Sequence, residues 1–257
     1  MFSIVIPLRN EEGCVEALWR LLHPVLSRTA RDYEVIFVDD ASTDRTWQSI
    51  TRIHQNYPEV KGIRLGAHAG HQVTFFAGLQ AASGEAIIMM DGDLQHPPEF
   101  LPELIQNWRE GFDLVYGFKT GQPGRSRVKK NLNQFFHRLS SLRWGISLHS
   151  ETSDFQIMNR SLVEAVVKGW HPSIFLRLWI HGQARRKKGI PFRAEPRFSG
   201  NTKQNIASLF WLGVQAFFLS PHLKRQPHLT PLYSVRESLG LNQPVERRAF
   251  KGYNPAS

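Results

Sequence analysis

The sequence predicts an α/β fold with a mostly parallel central sheet flanked by helices. Three short, nearly all-apolar runs point to it: Ser3–Pro7, Glu34–Val38 and Ala86–Met90. Runs of this length and make-up suit strands buried on both faces of a sheet. Segments of helical spacing lie between them, and strand–helix alternation argues for parallel pairing through crossovers.

The first run starts near the N-terminus with no basic stretch before it, so no signal peptide is expected. It passes into Pro7-Leu8-Arg9-Asn10-Glu11-Glu12. Val15, Leu18, Trp19, Leu22, Val25 and Leu26 then recur on one helical face. The second run ends in Asp39-Asp40-Ala41-Ser42-Thr43-Asp44. Trp47, Ile50, Ile53 and His54 mark a second helix, and Phe75, Phe76, Leu79 and Ala82 a third. The third run ends in Asp91-Gly92-Asp93. After residue 117 the pattern loosens. Residues 120–127 are loop-like and basic, and residues 132–144 have helical spacing with Phe135, Phe136 and Leu139 inward. Arg185–Lys188 reads as a solvated charge run, and the tail from Pro221 as irregular or partly ordered by packing.

The 257 residues allow one large domain or a domain with an appendage. With 41% hydrophobic and 21% charged residues, the chain can bury a real core. Cys14 is the only cysteine, which excludes an internal disulfide and a thiolate metal cage and fits a reducing compartment. The net charge of +10 suits an anionic partner, such as a nucleotide-sugar, a phospholipid surface or nucleic acid. The plain alternative is a soluble basic surface. No run reaches the ~20 apolar residues of a membrane span. The nearest, Ile206–Leu219, is a buried or an interfacial helix.

In open parallel sheets ligands bind beyond the carboxyl ends of the strands. Three acidic strand ends on one rim therefore predict the site. Asp91 and Asp93, one residue apart, can share a hard divalent cation such as Mg²⁺ or Mn²⁺, and Gly92 lets the backbone approach a ligand. Asp-x-Asp alone is weak, since a structural turn produces it too. The plain reading of Asn10-Glu11 and of Asp39-Asp40-Ala41-Ser42 is a cap on the following helix. His68 and His71 read as loop histidines packing on the fold rather than as metal ligands.

Taken together, Ser3–Pro7 with Asn10-Glu11, Val38–Thr46, Met90–Glu99 and Ser153–Arg160 resemble the inverting family-two glycosyltransferases. The likeness leans to the polyprenyl-phosphate branch, which includes dolichol-phosphate mannose synthase-like enzymes, and covers roughly residues 2 to 205. It implies a GT-A (Rossmann-like) fold, a nucleotide-diphosphate-sugar donor linked through UDP or GDP, and a Mg²⁺ or Mn²⁺ cofactor. It places Pro7, Arg9, Asn10, Glu11, Asp39, Asp40 and Ser42 around the nucleoside. Asp91, Gly92, Asp93 and Gln95 go to the metal and diphosphate, with Asp91 and Asp93 as ligands. Asp154 is the implied general base, with Asp93 beside it in the catalytic set; the plain alternative for Asp154 is a surface or cap aspartate. Arg197 and Lys203 would clamp a phosphate, unless their loop is merely solvated, and Arg125, Arg127, Lys129 and Lys130 could close over the donor.

The chain departs from that pattern in places. Arg9 stands where an aromatic residue is frequent, Ala67-His68 where Arg-Asn is, and Gln156 where an arginine follows Asp-Phe. A pair of C-terminal membrane helices is not evident. A lipid phosphate leads as acceptor, ahead of a saccharide, protein or nucleic acid. A nucleotidyltransferase would show a glycine-rich loop after the first strand, and Pro7-Leu8-Arg9-Asn10 is not one; a non-catalytic nucleotide-sugar binder stays open. The expected division is a transferase domain over 1–205 and an extension over 206–257 that is interfacial or oligomerising. The expected location is the cytoplasm, with peripheral contact to the cytoplasmic face of a membrane.

Overall fold

The structure, a computed structural model, describes residues 1–120, 151–172, 174–194 and 233–241, with the backbone of 230–231 and 249–250. The three apolar runs are strands β1 (Phe2–Leu8), β2 (Tyr33–Asp39) and β4 (Ala86–Met89), as their composition predicts. Between them lie helices α1 (Glu12–Thr29), α2 (Thr46–Asn56) and α3 (His71–Ala81); α1 and α2 bury their predicted apolar faces, whereas α3 is buried all round from Val73 to Leu79. Strand β3 (Val60–Leu65) escaped the apolar-run criterion because Lys61 and Arg64 interrupt it. A 3₁₀ turn at Pro98–Phe100 leads into α4 (Leu101–Arg109). There follow β5 (Leu114–Thr120), β6 (Thr152–Asn159), α5 (Arg160–Gly169), α6 (Leu176–Gln183) and β7 (Lys187–Arg193). The chain then adds β8 (Thr230–Pro231), β9 (Val235–Leu239) and β10 (Ala249–Phe250).

Eight strands form one sheet in the order β7-β5-β6-β4-β1-β2-β3-β9, while β8 and β10 form a separate pair. The β1–β2, β1–β4, β2–β3 and β5–β7 pairings are parallel. Direction reverses at β6, which runs antiparallel to β4 and β5, and at β9 on the β3 edge. Part of the tail thus joins the sheet as an ordered strand. Alternate residues face opposite layers, as a period of two requires. Ile4 and Ile6 pack with Leu18, Leu22, Trp47 and Leu104. Val5, Ile36 and Val38 pack with Phe75, Phe76, Leu162 and Ile180.

Among the described residues, no helix is long and apolar enough to cross a membrane. Ile206–Leu219, residues 132–144 and the basic residues near Arg125 lie outside the described residues.

Candidate functional site

Strands β1, β2 and β4 end on one rim, as the sequence predicts. The only non-glycine residues with positive φ among the described ones are Asn10 (52°), Ala41 (51°) and Leu94 (63°), one in each rim loop. Ala and Leu reach that region only when the surroundings enforce it, and such strain gathers at functional sites.

The rim is laced together by its own side chains. The Asn10 N–H donates to Ser42 Oγ (2.9 Å), and the Glu11 N–H donates to Thr46 Oγ1 (2.9 Å). Asn10 Oδ1 accepts from the Thr43 N–H (2.9 Å). Asn10 and Glu11 therefore do not cap α1 with their side chains, while Asp39 closes a turn within its own loop on the Ser42 N–H. Neither Glu11 before α1 nor Arg45 before α2 makes a side-chain cap hydrogen bond; the polar groups bridge the two loops instead. Asp39 Oδ1 accepts from the Ser42 N–H (3.1 Å), and its Oδ2 lies 3.3 Å from Arg64 Nε. Asp40 accepts from the N–H groups of Ala69 (2.7 Å) and Gly70 (3.1 Å) and meets His68 Nδ1 (2.7 Å). Arg9 Nη1 stands 3.8 Å from Asp40 and makes no hydrogen bond. Burial pushes both Asp39 and Asp40 above the usual carboxylate range, against these donors and cations. Pro7 is buried within β1 opposite Val38.

The β4–β6 register builds the centre. Ala86 faces Asn159 and Met89 faces Gln156. Continued two residues further, the same register sets Asp91 opposite Asp154. His71, the first residue of α3, fills the space between them. Its Nε2 lies 3.3 Å from Asp91 Oδ1 and 3.6 Å from Asp154 Oδ2. Burial opposes the imidazolium, but the neighbouring Asp154 and Asp91 carboxylates prevail and raise its pKa to about 10. Burial likewise opposes the Asp91 carboxylate, yet the neighbouring His96 and His71 bring it down to about 2. His71, Asp91 and Asp154 each offer a ligand atom, all within 4.8 Å of one another. Asp91 Oδ1 is buried and accepts no hydrogen bond.

Arg177 of α6 clamps Asp154 with both arms of its guanidinium, Nε to Oδ1 (2.8 Å) and Nη2 to Oδ2 (2.7 Å). Its Nη1 donates to the Thr152 carbonyl (2.8 Å). Burial resists the Asp154 charge, but Arg177 and His71 hold the carboxyl well below its usual range. His96 is fully buried and stacks on Phe155 at 4.8 Å. Its Nδ1 accepts from the Asp91 backbone N–H (2.9 Å), which leaves Nε2–H to donate to Ser153 Oγ (2.5 Å). Burial keeps this ring below the usual imidazole range, as a neutral tautomer requires.

Asp93 lies outside the His71–Asp91–Asp154 group; its Oδ1 accepts from the Gln95 N–H (3.1 Å) and closes the turn through Leu94. Gln95 Oε1 accepts from Lys119 Nζ (3.1 Å) at the end of β5. A Cβ on Gly92 would stand 3.2 Å from the Pro7 carbonyl oxygen, so the backbone that comes close there is the end of β1 itself. Arg197 and Lys203 lie outside the described residues.

Sequence reasoning passed over His71, Arg177, His96 and Lys119. The sequence reads His71 as a histidine packing on the fold; the ring does pack edge-on against Phe75, and it also stands between the two central carboxylates. Its signal was Gly70-His71 opening a helix directly after β3, which the apolar-run criterion had not found. Arg177 carried no signal, because its partner is 23 residues away on another element.

The sequence profile described as "Glycosyl transferase family 2" matches residues 3–167. An uncharacterized glycosyltransferase of Synechocystis is 33% identical over 216 residues, covering 84% of this chain and 68% of its own length. The prophage bactoprenol glucosyl transferase homolog of Escherichia coli is 28% identical over 216 residues, covering 83% of this chain and 70% of its own. Glucosyl-3-phosphoglycerate synthase from Mycobacterium tuberculosis, solved with Mn²⁺, UDP and phosphoglyceric acid, superimposes with TM-score 0.55 at 22% identity, over 84% of this chain and 75% of that one. Staphylococcus aureus TarS 1–349 with UDP-GlcNAc gives TM-score 0.53 at 19% identity, over 78% and 61%. These two share the fold, a mixed α/β sheet of the GT-A kind, and the chain spans under two thirds of the second.

Proposed function

The chain belongs to glycosyl transferase family 2, and on that premise we propose that it moves a sugar from a nucleotide-diphosphate donor to a polyprenyl phosphate with inversion. The observation that carries the reading is the Asp91–His71–Asp154 group beside the laced nucleoside rim. In the transfer an acceptor oxygen bonds to the anomeric carbon as the bond from that carbon to the diphosphate breaks. The rim loops around Asn10, Glu11, Asp39, Asp40 and Ser42 hold the nucleoside, with Pro7 and Arg9 beside them. UDP is the favoured nucleotide, because the solved relatives of this fold hold UDP or UDP-GlcNAc.

A divalent cation fits the donor set. Asp91 Oδ1 is a buried oxygen without a hydrogen bond, and imidazole with carboxylate suits Mn²⁺. Asp91 would hold the cation, with Asp93 close by and His71 joining once the cation displaces its proton, and the cation would offset the charge that builds on the departing diphosphate. Lys119, fixed by Gln95, adds a cation at the same end of the sheet, and Arg197 and Lys203 are assigned to phosphate as well.

The acceptor follows from Asp154. Both of its oxygens are taken by Arg177, and a carboxylate so held is a weak base for a sugar or protein hydroxyl. A phosphate acceptor arrives already ionised and needs no base. Asp154 then orients the sugar or acceptor. Relatives named bactoprenol glucosyl transferase support the same acceptor. Such a lipid calls for peripheral contact with a bilayer, for which residues 206–225 are the assigned segment.

The test is transfer from UDP-glucose, UDP-GlcNAc and GDP-mannose to undecaprenyl phosphate in detergent with Mn²⁺. One donor should label the lipid. Asp91→Ala should cut that transfer by roughly a hundredfold or more, the scale of losing a group that stabilises transition-state charge. Labelling of a free saccharide but not of the lipid phosphate would overturn the acceptor assignment. Full transfer by Asp91→Ala would overturn the site.

A further inference from the structure

Glu237 sits on β9, far from the rim in sequence and beyond the residues the family profile matches. It is nonetheless wired into the rim. β9 adds to the β3 edge with Glu237 directly opposite Arg64. Arg64 Nη1 donates to Glu237 Oε1 (3.0 Å), and Trp47 Nε1 donates to Glu237 Oε2 (2.8 Å), so both carboxylate oxygens are used. The Arg64 guanidinium lies over the Trp47 ring, 5.9 Å from its centroid. On its other side Arg64 Nε stands 3.3 Å from Asp39 Oδ2, and Nη2 donates to the Ser42 carbonyl (3.4 Å). Asp39 Oδ2 is buried and accepts no hydrogen bond, so this ion pair is what faces it.

The strand is anchored just ahead of Glu237. The Tyr233 hydroxyl donates to Gln80 Oε1 on α3 (2.6 Å), and the Gly66 N–H donates to the Ser234 carbonyl (2.8 Å). The β3–β9 register shifts between Arg64 and Leu65. An arginine carries several rotatable bonds, and fixing them costs entropy. Glu237 and Trp47 hold that side chain in the one pose that reaches Asp39 and Ser42. The Ser42 loop in turn fixes Asn10.

We infer that Glu237 is a positioning residue for the donor site: β9 holds Arg64 against Asp39 and Ser42 and so sets the affinity for the nucleoside half of the donor. The inference rests on the nucleoside-binding role proposed above for this rim. It makes donor binding depend on a strand that the family profile does not reach. Glu237 touches no reacting atom, so its loss should act on donor affinity and not on the chemical step.

Titration calorimetry with UDP and with GDP, each with Mn²⁺, tests this on the full chain. Glu237→Gln and Glu237→Ala should weaken the bound nucleotide by roughly three- to tenfold, in the range reached by substitutions that touch no ligand themselves. Donor KM should rise by a like factor with kcat little changed. Glu237→Asp should recover part of the loss, and Ser238→Ala, exposed on the same strand, should bind as the wild type does. Thermal melting of each variant separates this from unfolding, and Glu237→Gln covers the case in which the alanine variant melts early. Equal nucleotide affinity in wild type, Glu237→Gln and Glu237→Ala would overturn the inference while leaving the donor site standing. A wild-type protein that binds neither nucleotide would overturn both.

Discussion

Arg177→Met removes the guanidinium that grips both oxygens of Asp154 and keeps the aliphatic bulk of the side chain. Breaking a buried pair by deleting one partner costs about 3–5 kcal/mol, because the other charge is left uncompensated. Here the side chains retain 24% and 15% exposure, and His71 Nε2 stays 3.6 Å from Asp154. Water and that imidazole discount the penalty to about 2–3 kcal/mol. For a chain of this size, that lowers Tm by roughly 4–12 °C. Urea unfolding of wild type, Arg177→Met, Asp154→Asn and the double variant closes a cycle. The double variant should be more stable than the sum of the single losses by about 1–3 kcal/mol, since it strands no charge. Additivity within about 0.5 kcal/mol would refute the claim that these residues act as one unit.

Glu34 makes a second buried pair, remote from the site: Lys61 Nζ is 2.5 Å away, and Ser3 and Ser83 donate to its Oε1. Burial disfavours its charge, yet Lys61, Ser3 and Ser83 lower its pKa below the ordinary 4.5. Its stabilising contribution is therefore present above about pH 4.5 and lost as pH falls through the folded value. Glu34→Gln should cost about 2–3 kcal/mol at pH 7, and that deficit should shrink on acidification; a deficit constant from pH 7 to pH 3 would contradict the assignment. His96→Phe keeps the stack on Phe155 but strips the acceptor from the buried Asp91 N–H. It should lower the urea midpoint by the equivalent of about 1–3 kcal/mol at unchanged slope, and an unchanged midpoint would remove His96 from the support of Asp91.

What could be read from the sequence divides along the sheet. Strands β1, β2 and β4 are buried on both faces, so burial writes itself as unbroken apolar runs, and their acidic ends located the rim. β3 carries Lys61 and Arg64 because those side chains reach Glu34 and Asp39, and that need hid the strand. β6 was visible only as a motif, because Ser153, Asp154 and Gln156 interrupt its apolar residues. The site was legible in its carboxylates and illegible in their partners. A carboxylate at a strand end follows from local pattern; an arginine on α6 or a glutamate on β9 meets it only through tertiary packing. The cap reading of Asn10-Glu11 failed for the same reason, since Asn10 bonds across to Ser42 and Thr43 of the other loop and not to the helix that follows it.

The reversal of direction between β4 and β6 makes the site a matter of alignment. Asp91 and Asp154 come together because the register that pairs Ala86 with Asn159 and Met89 with Gln156 leads on to them. A slip of β6 by two residues would keep its apolar side chains on the same faces. It would also carry Asp154 about 7 Å along the strand, away from His71 and Asp91. Such a chain would keep its layers and its core and lack its chemistry. The tethers at the far end of β6 stand against that error. Asn159 Nδ2 donates to Asp113 Oδ1 (3.0 Å), and the Arg160 N–H donates to the Glu85 carbonyl (2.8 Å). Those contacts lie at the opposite edge of the sheet from the rim, and what they protect is the spacing of two carboxylates there.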